Sequence, residues 1–98
     1  MARLTWSPRA AQDLEDICEY IGRGSEHYAR VFARQVVSLV EAIPEQPQAG
    51  SIVPEYDRRD LRERVFHNYR IIYRVRGEVV EIVSICHGAR LLPPEPPG

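Results

Sequence analysis

The sequence predicts an α+β domain ordered β-α-α-β-β-β, with a helical hairpin packed on one face of a mainly antiparallel sheet. Three observations predict it. Apolar residues recur at spacings of three and four between Ala10 and Ile43, the period of amphipathic helices. From Leu61 onward the period becomes two, as in strands with one face buried. Glycine, proline and asparagine punctuation falls between these segments.

Arg3–Ser7 reads as a short strand with Leu4 and Trp6 on one face. Ser7-Pro8 is a helix start: serine can cap the first amides, and proline at the first helical position loses no hydrogen bond. Ala10, Leu14, Ile17, Cys18 and Ile21 form the apolar stripe, and Gly22 with Gly24 is expected to stop the helix. Ser25 caps a second helix whose stripe runs from Tyr28 through Phe32, Gln35, Val36 and Val40 to Ile43, closed by Pro44 and Pro47. Two helices joined by so short a turn form an antiparallel hairpin. Tyr20, Tyr28 and Trp6 are read as packing residues. Pro44 to Asp60 reads as a loop, followed by three strands: Leu61–His67, Tyr69–Arg76 and Val79–Cys86. Asn68 and Arg76-Gly77-Glu78 mark the turns between them. Alternation puts Tyr69, Ile71, Tyr73 and Val75 on one face, and Arg70, Arg74 and Arg76 on the other. Residues 1–92 are expected to form one domain, and 93–98 an extended, loosely held proline-rich tail.

A chain of 98 residues has room for one modest core, burying about 60–70% of its unfolded surface. With 44% hydrophobic and 28% charged residues it falls outside the disordered, collagenous and membrane classes. No apolar run reaches the roughly 20 residues of a membrane span, and the N-terminus lacks a signal-peptide core. Cys18 and Cys86 are too few for a disulfide framework; both read as small buried residues in a reducing cytoplasm.

Charge is unevenly distributed. All 13 basic residues are arginine, and residues 1–57 hold five of them against nine acids, while residues 58–90 hold eight against four. A basic C-terminal half calls for an anionic partner, either nucleic acid or an acidic protein segment, since arginine forks suit phosphate and carboxylate alike. Arg62, Arg64, Arg70 and Arg74 are expected on an open face or rim of the sheet.

No glycine-rich phosphate loop, metal-ligand pair at helical spacing or serine-nucleophile motif is present. His27, His67 and His87 lie far apart in sequence, so no metal and no cofactor is expected. What remains is an acid–base set of Glu55, Arg70 and His87. A carboxylate or imidazole can take the 2′-OH proton of RNA, the other group can protonate the leaving 5′ oxygen, and an arginine can hold the phosphorane charge. Each also has a plain structural reading: Glu55 as a solvated loop acid, His87-Gly88 as a strand-ending turn, Arg70 as the cross-strand partner of Glu63.

Taken together, these segments resemble the RelE/ParE family of toxins from bacterial type II toxin–antitoxin systems. The resemblance spans residues 4 to 90. It is carried by Trp6-Ser7-Pro8 with Ala11, Leu14, Ile17 and Tyr20-Ile21, by Pro47…Gly50, by Leu61-Arg62-Glu63, by Tyr69-Arg70-Ile71-Ile72-Tyr73-Arg74-Val75, and by Val83…His87-Gly88-Ala89-Arg90. It implies the architecture read above, a cytoplasmic protein, and a hetero-oligomer with a cognate antitoxin whose C-terminal segment wraps the toxin. Arg62, Arg64, Arg70, Arg74 and Arg90 are then the candidate contacts for antitoxin or target. Within the family, a RelE-like member is a metal-independent endoribonuclease acting on mRNA at the ribosome, and Glu55, Arg70 and His87 would be its catalytic set. A ParE-like member is no enzyme and poisons DNA gyrase by contact. The absence of lysine, and of any tyrosine after Tyr73, departs from the RelE-like site, and His87-Gly88-Ala89-Arg90 looks closer to the ParE branch. Gyrase inhibition is the first expectation, mRNA cleavage the second, and a non-toxic interaction module the third.

Overall fold

The computed structural model describes residues 2–90, 92–94 and 96. Ser7 ends the first strand, β1 (Arg3–Trp6), and opens the first helix, α1 (Pro8–Gly22). Its hydroxyl accepts the Ala10 amide hydrogen at 3.0 Å and donates to the Val83 carbonyl at 3.2 Å, so the cap also ties the helix to the sheet. Ser25 caps α2 (Glu26–Ala42) in the same way, accepting from the Tyr28 amide at 3.1 Å. The stop between the helices is not the left-handed glycine cap expected of Gly22 and Gly24. Gly22 is the last helical residue, Arg23 caps it with ordinary right-handed backbone, and the Gly24 and Ser25 amides both close onto the Ile21 carbonyl at 3.0 Å. Among the described glycines only Gly77, in the turn after Arg76, takes a positive φ, +56°.

A single 3-10 turn follows at Ile43–Glu45, and the strands are β2 (Ser51–Ile52), β3 (Leu61–Phe66), β4 (Tyr69–Arg76) and β5 (Val79–His87). The sheet order is β1-β5-β4-β3-β2, with β1 parallel to β5 and the other pairs antiparallel. The segment expected to be all loop therefore holds a fifth, two-residue strand at the sheet edge. The α+β class and the helical hairpin on one face stand as expected.

The helices cover one face. Phe32, Val36 and Val40 of α2 and Ala10 of α1 close over Ile71, Tyr73 and Ile82 in the main core. Tyr73, fully buried, explains the Pro47…Gly50 spacing. Its hydroxyl donates to the Pro47 carbonyl at 2.7 Å and accepts the Gly50 amide hydrogen at 3.1 Å, and a Cβ at residue 50 would collide with that hydroxyl and with the Glu63 carbonyl. Trp6 packs at the core margin. Tyr20 and Tyr28, expected to pack, are 70% and 54% exposed: Tyr20 lies off the apolar stripe of α1, and Tyr28, one turn before Phe32, sits in the first turn of α2 at the margin of the core; Gln35 is exposed as well.

The opposite face holds a smaller apolar cluster of Val53, Leu61, Ile72, Val83 and Cys86, with Tyr56 and Leu92 packed against it. The chain is thus docked where the tail begins: Leu92, the last residue of the expected domain, covers this cluster, and the Tyr56 hydroxyl donates to the Pro93 carbonyl at 2.9 Å. Residue 91, and residues 95, 97 and 98 of the expected tail, lie outside the described residues. Cys86 is buried and Cys18 half-buried. Burial pushes both thiols up, which suits inert packing roles.

Candidate functional site

The strand pairing decides which side chains can meet. A two-residue turn at His67-Asn68 pairs Phe66 with Tyr69, so Arg64 falls opposite Ile71 and Arg62 opposite Tyr73, while Val65 falls opposite Arg70 and Leu61 opposite Arg74. Residues directly opposed share a face. The four arginines expected on one open face are therefore split: Arg62 and Arg64 share the helix-side face with Ile71 and Tyr73, and Arg70 and Arg74 lie on the other.

Nor are Arg70 and Arg74 open. They are 9% and 3% exposed. Arg74 lies beneath Asp60 and Glu81, its nitrogens 3.9 and 3.7 Å from their carboxylates. Arg62 staples the loop, donating to the Gly50 carbonyl at 3.0 Å, the Gln48 side chain at 3.0 Å and the Arg59 carbonyl at 3.2 Å. Of the five arginines expected to contact a partner, Arg64 and Arg90 alone make no side-chain hydrogen bond or ion pair among the described residues. Arg90 is exposed in the turn after β5, where its amide donates to the His87 carbonyl.

Glu55 and Arg70 do come together. Nη1 and Nη2 of Arg70 donate to the two Glu55 oxygens at 2.6 and 2.8 Å, and Nε donates to Glu63 at 2.7 Å. The cross-strand pair with Glu63 and the loop acid Glu55 thus hold one guanidinium between two carboxylates. The Arg70 hydrogen bonds lower the Glu55 carboxyl to about 2, and the same contacts, that from Glu55 foremost, raise the arginine further. Glu63 is 13% exposed and Glu55 40% exposed, so the inner pair is the desolvated one. One cation and two anions leave this cluster with a net negative charge.

His87 is placed beside the cluster and not within it. It pairs with Tyr69 on the adjacent strand, the two rings 5.7 Å apart edge to face. Its Nδ1 accepts the Ala89 amide hydrogen at 3.2 Å. No hydrogen bond or ion pair joins it to Glu55 or Arg70 among the described residues. An open groove of about 420 Å3 nevertheless runs past both, lined by Glu63, Val65, His67, Arg70, His87 and Gly88. The groove also gathers His67, which sequence spacing alone kept apart from His87. The signal was the length of β4: an eight-residue strand paired to both neighbours brings the β3–β4 turn beside the end of β5.

Sequence reasoning missed one clamp. Oδ2 of Asp13, in α1, accepts the Ile85 amide at 3.0 Å and the Ser84 hydroxyl at 3.2 Å. β1 pairs with β5 only from Val79 to Ile82, and beyond that point Asp13 takes the place of a strand partner.

A family model described as the ParE toxin of the type II toxin–antitoxin system parDE matches residues 4–92. Toxin RelE2 of Caulobacter vibrioides is 36% identical over 92 residues, covering 93% of this chain and all of that protein. Among solved structures, one titled as the chromosomal ParDE toxin–antitoxin system from P. aeruginosa has the same fold. It gives a TM-score of 0.74 at 22% identity, over 89% of this chain and 96% of that one. With the match running through every strand and both helices, the chain belongs to the ParE toxin family of type II toxin–antitoxin systems.

Proposed function

We propose that this toxin, held in check by its cognate antitoxin, arrests growth by binding DNA gyrase, and that it cleaves no RNA. The observation that carries the reading is the state of Arg70. Metal-free RNA cleavage needs a base for the 2′-OH, an acid for the leaving oxygen and a free cation for the phosphorane. Arg70 is already satisfied by Glu55 and Glu63, and their combined negative charge repels a phosphate. Glu55, held at about 2, is a poor base at neutral pH. The Nδ1 lone pair of His87 is engaged by the Ala89 amide. A contact poison asks none of these groups to react. Arg64 and Arg90, free of internal partners among the described residues, are then the arginines available to a target, and Arg62, Arg70 and Arg74 hold the fold.

Pulse-labelling after induction without antitoxin tests the proposal. DNA synthesis should fall first, purified toxin should block supercoiling by gyrase, and Glu55→Gln and His87→Ala should remain toxic. The second reading, cleavage of mRNA at the ribosome, is favoured by the groove that holds His67, Arg70 and His87 together and by the name of the RelE2 relative. Early loss of protein synthesis, abolished by His87→Ala, would establish it and overturn gyrase poisoning. Harmless expression would leave only an interaction module.

A further inference from the structure

The outer face of α2 carries a stripe of mixed charge. Arg30, Ala33, Arg34, Val37, Ser38 and Glu41 recur at three- and four-residue steps, on the side away from buried Phe32, Val36 and Val40. Val37 is 36% exposed, and a shallow depression of about 450 Å3 runs between Ala33, Arg34, Val37, Ser38 and Glu41. Neither Arg34 nor Glu41 makes a side-chain hydrogen bond or ion pair among the described residues. At seven residues apart they are also beyond the reach of a same-helix pair. The order of charge opposes the helix dipole as well, which favours cations, not an acid such as Glu41, at the C-terminal end. No partner among the described residues explains this arrangement.

We infer that this face is a self-association surface, on which a second copy of the chain lays its own α2 antiparallel about a two-fold axis midway between Val37 and Ser38. In that register Arg34 meets Glu41 of the second copy, and the symmetry makes the contact twice. Val37 and Ser38 then flank the axis. Small side chains at Ala33 and Ser38 allow the close approach of about 8–10 Å that packed helices need. A second copy is the occupant because the stripe is complementary to itself, cationic in its first half and acidic in its second. A helix of 17 residues offers less contact than the ~1,200 Å2 of a standard interface, so the dimer is weak and salt-sensitive. The inference does not depend on which target the toxin acts on.

Sedimentation velocity of the free full-length chain, over a concentration series at low and high salt, tests it. The sedimentation coefficient should rise from monomer to dimer, at higher concentration when salt is added. Arg34→Glu sets like charges at both contacts and should weaken association by about tenfold or more, as should Glu41→Arg. The double variant Arg34→Glu/Glu41→Arg restores the pairing and should dimerise like the parent. Coincident thermal melts of these surface variants show that folding is not the cause. A monomer at every concentration, a dimer indifferent to Arg34→Glu, or a double variant that fails to recover overturns the proposal. A monomer whose Glu41→Arg variant instead loses the antitoxin overturns it too and assigns the face to that partner.

Discussion

On the helix side of the sheet, Ile71, Tyr73, Val80 and Ile82 are wholly buried beneath α1 and α2, whereas on the other side the same strands bury Arg70 and Arg74 among carboxylates, with a smaller apolar cluster around Leu61 and Ile72. The first face is closed by a layer of secondary structure. The second is closed by a loop from Val53 to Asp60 and by Leu92. Both faces exclude water from β4, and they do it with different chemistry. An alternating strand with arginine at every second or fourth position does not by itself mark a docking surface. It can equally mark a face where ion pairs take the place of a second apolar core, and two carboxylates on Arg70 decide for that here.

The comparison is broken most severely at its centre. Arg70→Ala leaves Glu63, only 13% exposed, without its counter-charge, and should cost about 3–5 kcal/mol in urea unfolding. Replacing Arg70 and Glu63 together by Met and Leu should recover most of that loss, since a buried pair often does no better than apolar side chains of similar volume. On the helix side, Ile82→Ala should cost about 2–5 kcal/mol, with no partner change able to recover it. If the double replacement fails to recover stability, the open face depends on its charges in a way the helix face does not.

Much of this was legible in the sequence. Leu4 and Trp6, Ser7-Pro8, Ser25 and the switch of period near Leu61 placed both helices and four of the five strands. The two-residue β2 has no period to read, and the irregular register at Ile72/Tyr73 leaves no mark in composition. The site was half legible. Glu55 and Arg70 do meet, yet charge counting could not show that two acids would consume the arginine. The division of the four arginines was there to be found: a two-residue turn at His67-Asn68 pairs Arg62 with Tyr73, and counting along the ladder puts Arg62 and Arg64 on the side of Ile71. Alternation within one strand is not enough; the register between strands carries the answer.

A sharper test sits in the loop that crosses between the faces. Tyr73→Phe removes the hydroxyl that serves both the Pro47 carbonyl and the Gly50 amide. It should cost about 1–3 kcal/mol, because it strands buried polar groups and not merely a bond. Amide exchange should quicken at Gly50 before it does in β4.

Acid tests the outer carboxylate of the open face. Glu55 is held at about 2 by Arg70, so the unfolded chain takes up that proton first. Its stabilisation is complete above the ordinary glutamate value of about 4.3 and is lost as pH falls toward 2. With the carboxylate 40% exposed, screening holds the effect to about 1 kcal/mol or less. The difference in unfolding free energy between the parent and Glu55→Gln should be flat from pH 8 to 5 and vanish between about pH 4.3 and 2. A difference that persists at pH 2 would mean the glutamine acts by its shape and not by its charge.

The smallest effect compares one chemical change on the two faces. Tyr56→Phe deletes a hydroxyl just as Tyr73→Phe does, yet the Tyr56 hydroxyl donates to Pro93 at an exposed position, where water can replace the lost partner. The expected cost is about 0.5 kcal/mol, at the low end for an intramolecular hydrogen bond. Leu92→Ala should cost more than Tyr56→Phe, because the leucine packs on the Leu61–Ile72 cluster and the hydroxyl only fixes the residue beside it. If Tyr56→Phe matches Tyr73→Phe in a thermal melt, the start of the tail is as much a part of the fold as the Pro47…Gly50 loop. A small value leaves apolar contact as what seals this face, with the hydrogen bond only orienting the chain that makes it.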